Sequence, residues 1–189
     1  MNQPKPYVIT IVGPESSGKT TLARELADRY GCPWVPEYAR EYLDGLGRDY
    51  QEEDLVLIAK GQLELEEKHS LSFQKKEADN HRAAANSLLF IDTDQYVMKV
   101  WCEYVFNQCH TWILNRIVER PYDLYLLCNI DLPWIKDELR EYPDEKPRNE
   151  LYHMYKDLLQ NQHVPWTEIS GTYDERFQKS KMAVDKIFF

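Results

Sequence analysis

Apolar positions along this chain alternate between two patterns. Short runs of apolar and β-branched residues occupy 7–13 (YVITIVG), 32–39 (CPWVPEYA), 87–92 (SLLFID), 122–130 (YDLYLLCNI) and 164–170 (VPWTEIS). Runs this short and this continuous read as strands buried on both faces of a parallel sheet. Between them the apolar residues recur at helical spacing. Leu22, Leu26 and Ala27 mark a helix over 19–30, with Gly31 as its stop. Asp49 and Glu52 stand at capping-box spacing before a second helix that carries Leu55, Ile58, Gln62 and Leu65 on one face. That helix is expected to fray into QKKEADNHR, a solvated connection. TDQYVMKVWCEYVF and TWILNRIVER follow the third strand as helices, and the charged stretch after the fourth strand is helical but punctuated by Pro133, Pro143 and Pro147.

Strands alternating with helices predict an α/β fold, a five-stranded parallel sheet with helices on both faces. At 189 residues the chain is read as one domain, 1–189, with a lid insertion after strand four at 131–150. Ligands of such sheets bind outside the carboxyl ends of the strands, so residues there carry the chemistry.

Composition narrows the partners. Lys plus Arg number 23 against 32 Asp plus Glu, a net charge of −9, which argues against nucleic acid or an anionic membrane as a general partner. No apolar run reaches membrane-spanning length, and MNQPKPYVIT lacks the apolar segment of a signal peptide, so a cytoplasmic location is expected. Cys32, Cys102, Cys109 and Cys128 form no C-x-x-C pair and no zinc spacing, so reduced thiols are expected. Any phosphate bound by so acidic a chain must be held by local positive groups.

Such groups follow the first strand. Gly13, Gly18, Lys19 and Thr20 satisfy G-x-x-x-x-G-K-[ST] between a strand and a helix, the context that a phosphate-cradling loop needs. Its amide groups and the helix N-terminus face the anion, Lys19 reaches the β- and γ-phosphates, and the Thr20 hydroxyl suits magnesium. The fold class is therefore a P-loop NTPase fold. At the end of the third strand Asp92 is placed to hold magnesium through water. Asp94, two residues on, is either a helix cap or a contact to substrate or metal-bound water. In VPEYAREY, Glu37 faces the acceptor side and is placed to take a hydroxyl proton, with Arg40 one turn later. Trp34, Tyr38 and Trp101 offer an aromatic wall for a flat ring. Arg140 and Arg148, in the lid, bring positive charge toward a transferred phosphoryl group.

GPESSGKTTLARELA, VPEYAREY, FIDTDQYVMKVW, YDLYLLCNIDLPWIKDELR and EISGTYDERF together resemble the ribosylnicotinamide kinase domain of NadR-type NAD-salvage proteins, over nearly the whole chain and in the same order. The resemblance implies transfer of the γ-phosphoryl group of ATP to the 5′-hydroxyl of nicotinamide riboside. By the same resemblance Gly13, Glu15, Ser16, Ser17, Gly18, Lys19, Thr20 and Thr21 form the ATP cradle, and Thr20 and Asp92 place Mg2+. Glu37, Arg40 and Asp94 lie on the substrate side, where the aromatic wall adds Tyr38 and Trp101, and Arg140 and Arg148 match lid arginines. A loop over Gly171–Arg176, with Tyr173 and Arg176, is expected against adenine. NadR-type proteins can also carry an adenylyltransferase domain with an H-x-G-H motif, which this sequence lacks, so the expected product is the mononucleotide. Two other readings stay open: a P-loop kinase of another nucleoside, and a protein that binds ATP without transferring phosphate. Either Glu37 or Asp94 orients the hydroxyl, with Glu37 preferred as base.

Overall fold

The computed structural model describes residues 5–79, 88–120, 122–136 and 141–189. Five parallel strands form one sheet: β1 (Tyr7–Val12), β2 (Trp34–Val35), β3 (Leu88–Asp92), β4 (Leu124–Cys128) and β5 (Trp166–Ile169), in the order β2-β3-β1-β4-β5. Among the described residues seven helices surround it: α1 (Lys19–Tyr30), α2 (Tyr38–Asp44), α3 (Glu52–Asp79), α4 (Gln95–Phe106), α5 (Thr111–Glu119), α6 (Glu145–Gln160) and α7 (Tyr173–Phe188).

The alternation of strand side chains sorts the core into layers. Ile9, Ile11, Leu88, Phe90, Leu124 and Leu126 face one way, against Leu22, Ala23, Leu26 and Ala27 of α1 and Val184 of α7. Their neighbours Leu89, Ile91, Tyr125 and Leu127 face the other, against Val97 and Val100 of α4 and Leu151, Tyr155 and Leu159 of α6. Because both faces are covered, β3 and β4 are buried at every position, which is why they read as unbroken apolar runs. A third cluster joins Ala39 of α2, Leu55 and Ile58 of α3, Met98 and Cys102 of α4 and Ile113 of α5.

Several boundaries differ from the sequence expectation. The second strand is two residues long, not eight: Pro36 has no N–H for the ladder, and Glu37 becomes the N-cap of α2. The Asp49–Glu52 capping box does not form. Instead α3 begins at Glu52, and Asp54 reaches back to accept from the Gln51 amide at 2.7 Å. α3 also continues through Asp79, because the straight-chain charged residues expected to end it are good helix formers. After β4 the chain is irregular over 129–136 and again over 141–144, and the next described helix begins at Glu145, past Pro143. Tyr173 and Arg176 lie in the first turn of α7 and not in a loop; Thr172 and Glu175 close a capping box there. Gly61 fits the contact between α2 and α3: a Cβ on it would meet the Tyr38 ring at 2.0 Å.

Candidate active site

β1 and β3 are neighbours, with Ile11 paired to Asp92, so the loop leaving β1 and the carboxylate ending β3 arrive side by side. The Thr20 hydroxyl donates to Asp92 Oδ2 at 2.6 Å. Gly13 takes a φ of 140°, and a Cβ there would stand 2.6 Å from the Cys128 carbonyl oxygen, so only glycine lets the loop pass β4 this closely. Gly18 is the N-cap of α1, which has no side-chain cap and no acid in its first turn, leaving its amides to face an anion. The Lys19 ammonium and the Ser17 hydroxyl both donate to the Pro14 carbonyl, at 2.8 and 2.7 Å.

Asp92 is fully buried, and its Oδ1 has no hydrogen-bond partner. Burial and then the Glu37 carboxylate push its carboxyl up to about 7, against the pull of Lys19, the Thr20 hydroxyl and Arg40. A hydroxyl and an unsatisfied carboxylate oxygen beside a phosphate cradle are the hard oxygen donors that magnesium prefers. The residues present therefore fit that ion. Among the described residues no group of three or more His, Cys, Asp or Glu is placed to hold a metal ion.

Between Asp92 and Asp94, Thr93 adopts a φ of 76°, a strained value for a β-branched residue, and its hydroxyl donates to Glu37 Oε1 at 3.4 Å. Asp94 is the N-cap of α4: its Oδ1 accepts from the amides of Tyr96 and Val97, at 3.0 and 3.2 Å. Burial pushes its carboxyl up to about 7 in spite of those two bonds. Glu37 is held from both sides by Gln62 of α3, which accepts from the Tyr38 amide at 2.8 Å and donates to the Pro36 carbonyl at 3.4 Å.

One cleft joins these parts. The whole loop from Gly13 to Thr21 lines it, with Glu37 and Arg40 beside it, Trp101 and Tyr104 of α4 and Tyr142 as aromatic walls, and Tyr173 at the α7 N-terminus. Asp92, Asp94, Tyr38, Arg148 and Arg176 are not among the lining residues, and Trp34 packs into the core on the α1 side. Arg148 is buried and donates to the Ile130 carbonyl at 3.3 Å. Arg140 lies outside the described residues. Arg176, expected against adenine, instead braces the loop from behind. It donates to the carbonyls of Gly171 (2.8 Å), Ser17 (2.9 Å) and Asn129 (2.9 Å) and pairs with Asp131.

Gln62, Tyr104, Glu141 and Tyr142 join the site without having been singled out for it by the sequence pattern. Tyr104 carried a signal, since it follows Trp101 by three on one helix face. Gln62 falls on the apolar face of α3, and a polar amide among apolar positions is the signal that marks it. Glu141 and Tyr142 reach the cleft through tertiary contact, for which local pattern has no signal.

The family model described as an AAA domain matches residues 8–176. The chain belongs to this AAA-domain family. It is 29% identical to the Trifunctional NAD biosynthesis/regulator protein NadR of Escherichia coli (strain K12), over 92% of this chain and 41% of the relative. A NadR protein solved in complex with NR superposes with a TM-score of 0.71 at 25% identity, covering 97% of this chain and 50% of that one. Thymidylate kinase from Ehrlichia chaffeensis shares the fold, with a TM-score of 0.60 at 17% identity over 95% of this chain and 100% of that one. This AAA-domain chain is thus homologous to NadR proteins and spans about half or less of the ones it matches. Among the described residues no helix is long and apolar enough to cross a membrane.

Proposed function

We propose that this protein is an ATP-dependent kinase that phosphorylates the 5′-hydroxyl of nicotinamide riboside to give nicotinamide mononucleotide. The observation that carries the reading is the single cleft in which the Lys19 and Thr20 end of the loop, the Glu37 carboxylate and the Trp101 wall open onto one space. The likeness to a NadR protein solved with NR supports the choice of acceptor.

In this reading the 5′-oxygen attacks the γ-phosphorus, the bond from that phosphorus to the β,γ-bridging oxygen breaks, and ADP leaves. Most of the catalysis is positioning and charge neutralisation. The amides at the α1 N-terminus and Lys19 hold the phosphates. Thr20 and Asp92 would hold the magnesium ion that accompanies ATP and neutralises its charge. Glu37 accepts the hydroxyl proton and is kept in place by Thr93 and Gln62. Asp94 acts by fixing the α4 N-terminus, which carries Trp101 at its second turn. Arg40 lines the cleft and, with Lys19, opposes the rise of the Asp92 carboxyl, which suits it to neutralise the phosphoryl group in transit. Arg140 and Arg148 are assigned to the same end by the resemblance alone.

Coupled ADP release with ATP and magnesium tests the reading, with nicotinamide riboside compared against uridine, cytidine, adenosine and thymidine. Stimulation by nicotinamide riboside alone is expected. Stimulation by another nucleoside keeps the kinase and replaces the acceptor, and stimulation by none overturns the reading.

A further inference from the structure

The ring end of the cleft contains an acid that the transfer chemistry does not use. Glu141 precedes Tyr142 on the segment entering α6, and the amides of both residues donate to the Glu15 carboxylate, at 2.9 and 2.6 Å. A side chain of the phosphate loop thus fixes where Glu141 stands. The Glu141 Oε2 accepts from the Tyr50 hydroxyl at 3.0 Å, and that hydroxyl accepts from the Trp101 indole N–H at 3.1 Å. The Tyr50 ring meets Trp101 edge-on at 5.1 Å, and Tyr104 meets Tyr142 in the same way at 5.4 Å.

Charge in the cleft is divided by this arrangement. The lining cations Lys19 and Arg40 both act on Asp92, at the phosphate end. The ring end offers aromatic groups and the Glu141 carboxylate, with Glu15 behind the amides of Glu141 and Tyr142 and Glu150 accepting from the Tyr104 hydroxyl at 3.0 Å. Aromatic faces attract cations through their quadrupole, and a carboxylate hydrogen-bonded into the same wall adds a full countercharge. Burial pushes the Glu141 carboxyl up and the Glu15 carboxylate adds to the rise, against the pull of the Tyr50 hydrogen bond, so the ligand-free wall holds an anion at a net cost that a bound cation relieves. A neutral base of the same size brings no such relief.

Resting on the proposed function, we infer that Glu141 is a specificity-determining residue: it supplies the countercharge for a cationic heteroaromatic ring and selects a pyridinium nucleoside over its neutral counterpart. Through Tyr50 the same carboxylate also orients the Trp101 indole. The recognition is therefore of charge as well as shape.

Titration calorimetry with nicotinamide riboside and with its neutral 1,4-dihydro form, against the unmodified protein and Glu141→Gln, tests this. Glutamine keeps an acceptor for Tyr50 and removes the charge. The unmodified protein is expected to prefer the cationic ligand by about tenfold or more, and Glu141→Gln to erode that preference by about tenfold. Tyr50→Phe, which keeps the charge, is expected to weaken both ligands and preserve their ratio. No preference in the unmodified protein, or an equal loss of both ligands in Glu141→Gln, would overturn the inference and leave the proposed function standing. Failure of the unmodified protein to bind nicotinamide riboside at all would overturn the proposed function, and this inference with it.

Discussion

The two ends of the cleft are built on opposite plans. The phosphate end is contiguous in sequence and made mostly of backbone: a nine-residue loop from Gly13 to Thr21, with Ser16 and Gly18 at φ values of 54° and 83°. It is braced from behind by Arg176 and tied to β3 through Thr20 and Asp92. The ring end is made of side chains from separate segments, with Trp101 and Tyr104 from α4, Tyr142 and Glu141 from the entry to α6, and Tyr50 joining them by hydrogen bonds. Phosphate is the same on every nucleotide, so backbone amides in one fixed turn serve to bind it. An acceptor is recognised by what distinguishes it, which takes side chains brought together by the fold.

The sharpest way to break this comparison is at the phosphate end. Lys19→Ala is expected to lower kcat by about a thousandfold and Asp92→Asn by about a hundredfold, with the fold intact, because both act on charge in the transferred group. Near-normal turnover in either variant, measured by ADP release, would remove the site assignment. Arg176→Lys comes next. One ammonium cannot serve three backbone carbonyls and Asp131, so buried acceptors lose their partners at a cost of about 2–4 kcal/mol. The expected signature is a lower Tm together with a KM for ATP that rises more than the KM for the acceptor. If Arg176 contacted adenine from a loop, ATP affinity would fall with no change in Tm.

The ring end predicts the complementary split. Trp101→Ala is expected to raise the acceptor KM by about 10–100-fold while the KM for ATP stays within about threefold, as for an aromatic anchor lost from a pocket. Equal changes in both constants would mean that the two ends are not separable in the way their construction implies.

The same difference decides what the sequence alone disclosed. The strands and the sheet were legible because burial on both faces leaves unbroken apolar runs, as in β3 and β4. The phosphate loop was legible because its function lies in spacing, which Gly13, Gly18, Lys19 and Thr20 display without any tertiary context. Glu37 and Trp101 stood out from residue type and position at a strand end or on a helix. Gln62, Glu141 and Tyr142 did not, since each acts through partners more than twenty residues away: Gln62 on Pro36 and Tyr38, Glu141 on Tyr50, and the Tyr142 amide on Glu15. Arg176 stands in the first turn of a helix, because a capping box at Thr172 and Glu175 starts α7 where the pattern predicts a loop. The second strand was overextended because two prolines in an apolar run do not by themselves say on which side of them the ladder stops.

The smallest expected effect lies outside the cleft, in a buried acid that does not line it. Glu66 of α3 is 5% exposed and accepts from the Tyr122 hydroxyl at 3.2 and 3.4 Å, with Arg120 at 4.0 Å. Burial, then the nearby Asp94 carboxylate, push Glu66 up to about 8, with Arg120 and Tyr122 pulling the other way and Glu67 adding to the rise. Its folded pKa is raised above the unfolded one, so between those values the folded state holds a proton that the unfolded state has released. Its contribution to stability is therefore fully present below about pH 4.5 and is lost as pH rises to about 8. Asp92 and Asp94, both pushed up to about 7, drain stability in the same direction, so the ligand-free protein should melt at lower temperature at pH 8 than at pH 5.5. Glu66→Gln isolates one share of that slope. It should flatten the loss by about 3 kcal/mol between pH 5.5 and pH 8, leaving kcat and both KM values near those of the unmodified protein. Parallel Tm curves for the two proteins would mean that Glu66 stays ionised when folded. A changed acceptor KM would extend the ring end inward to α3 and blur the boundary between the part of the fold that recognises substrate and the part that supports it.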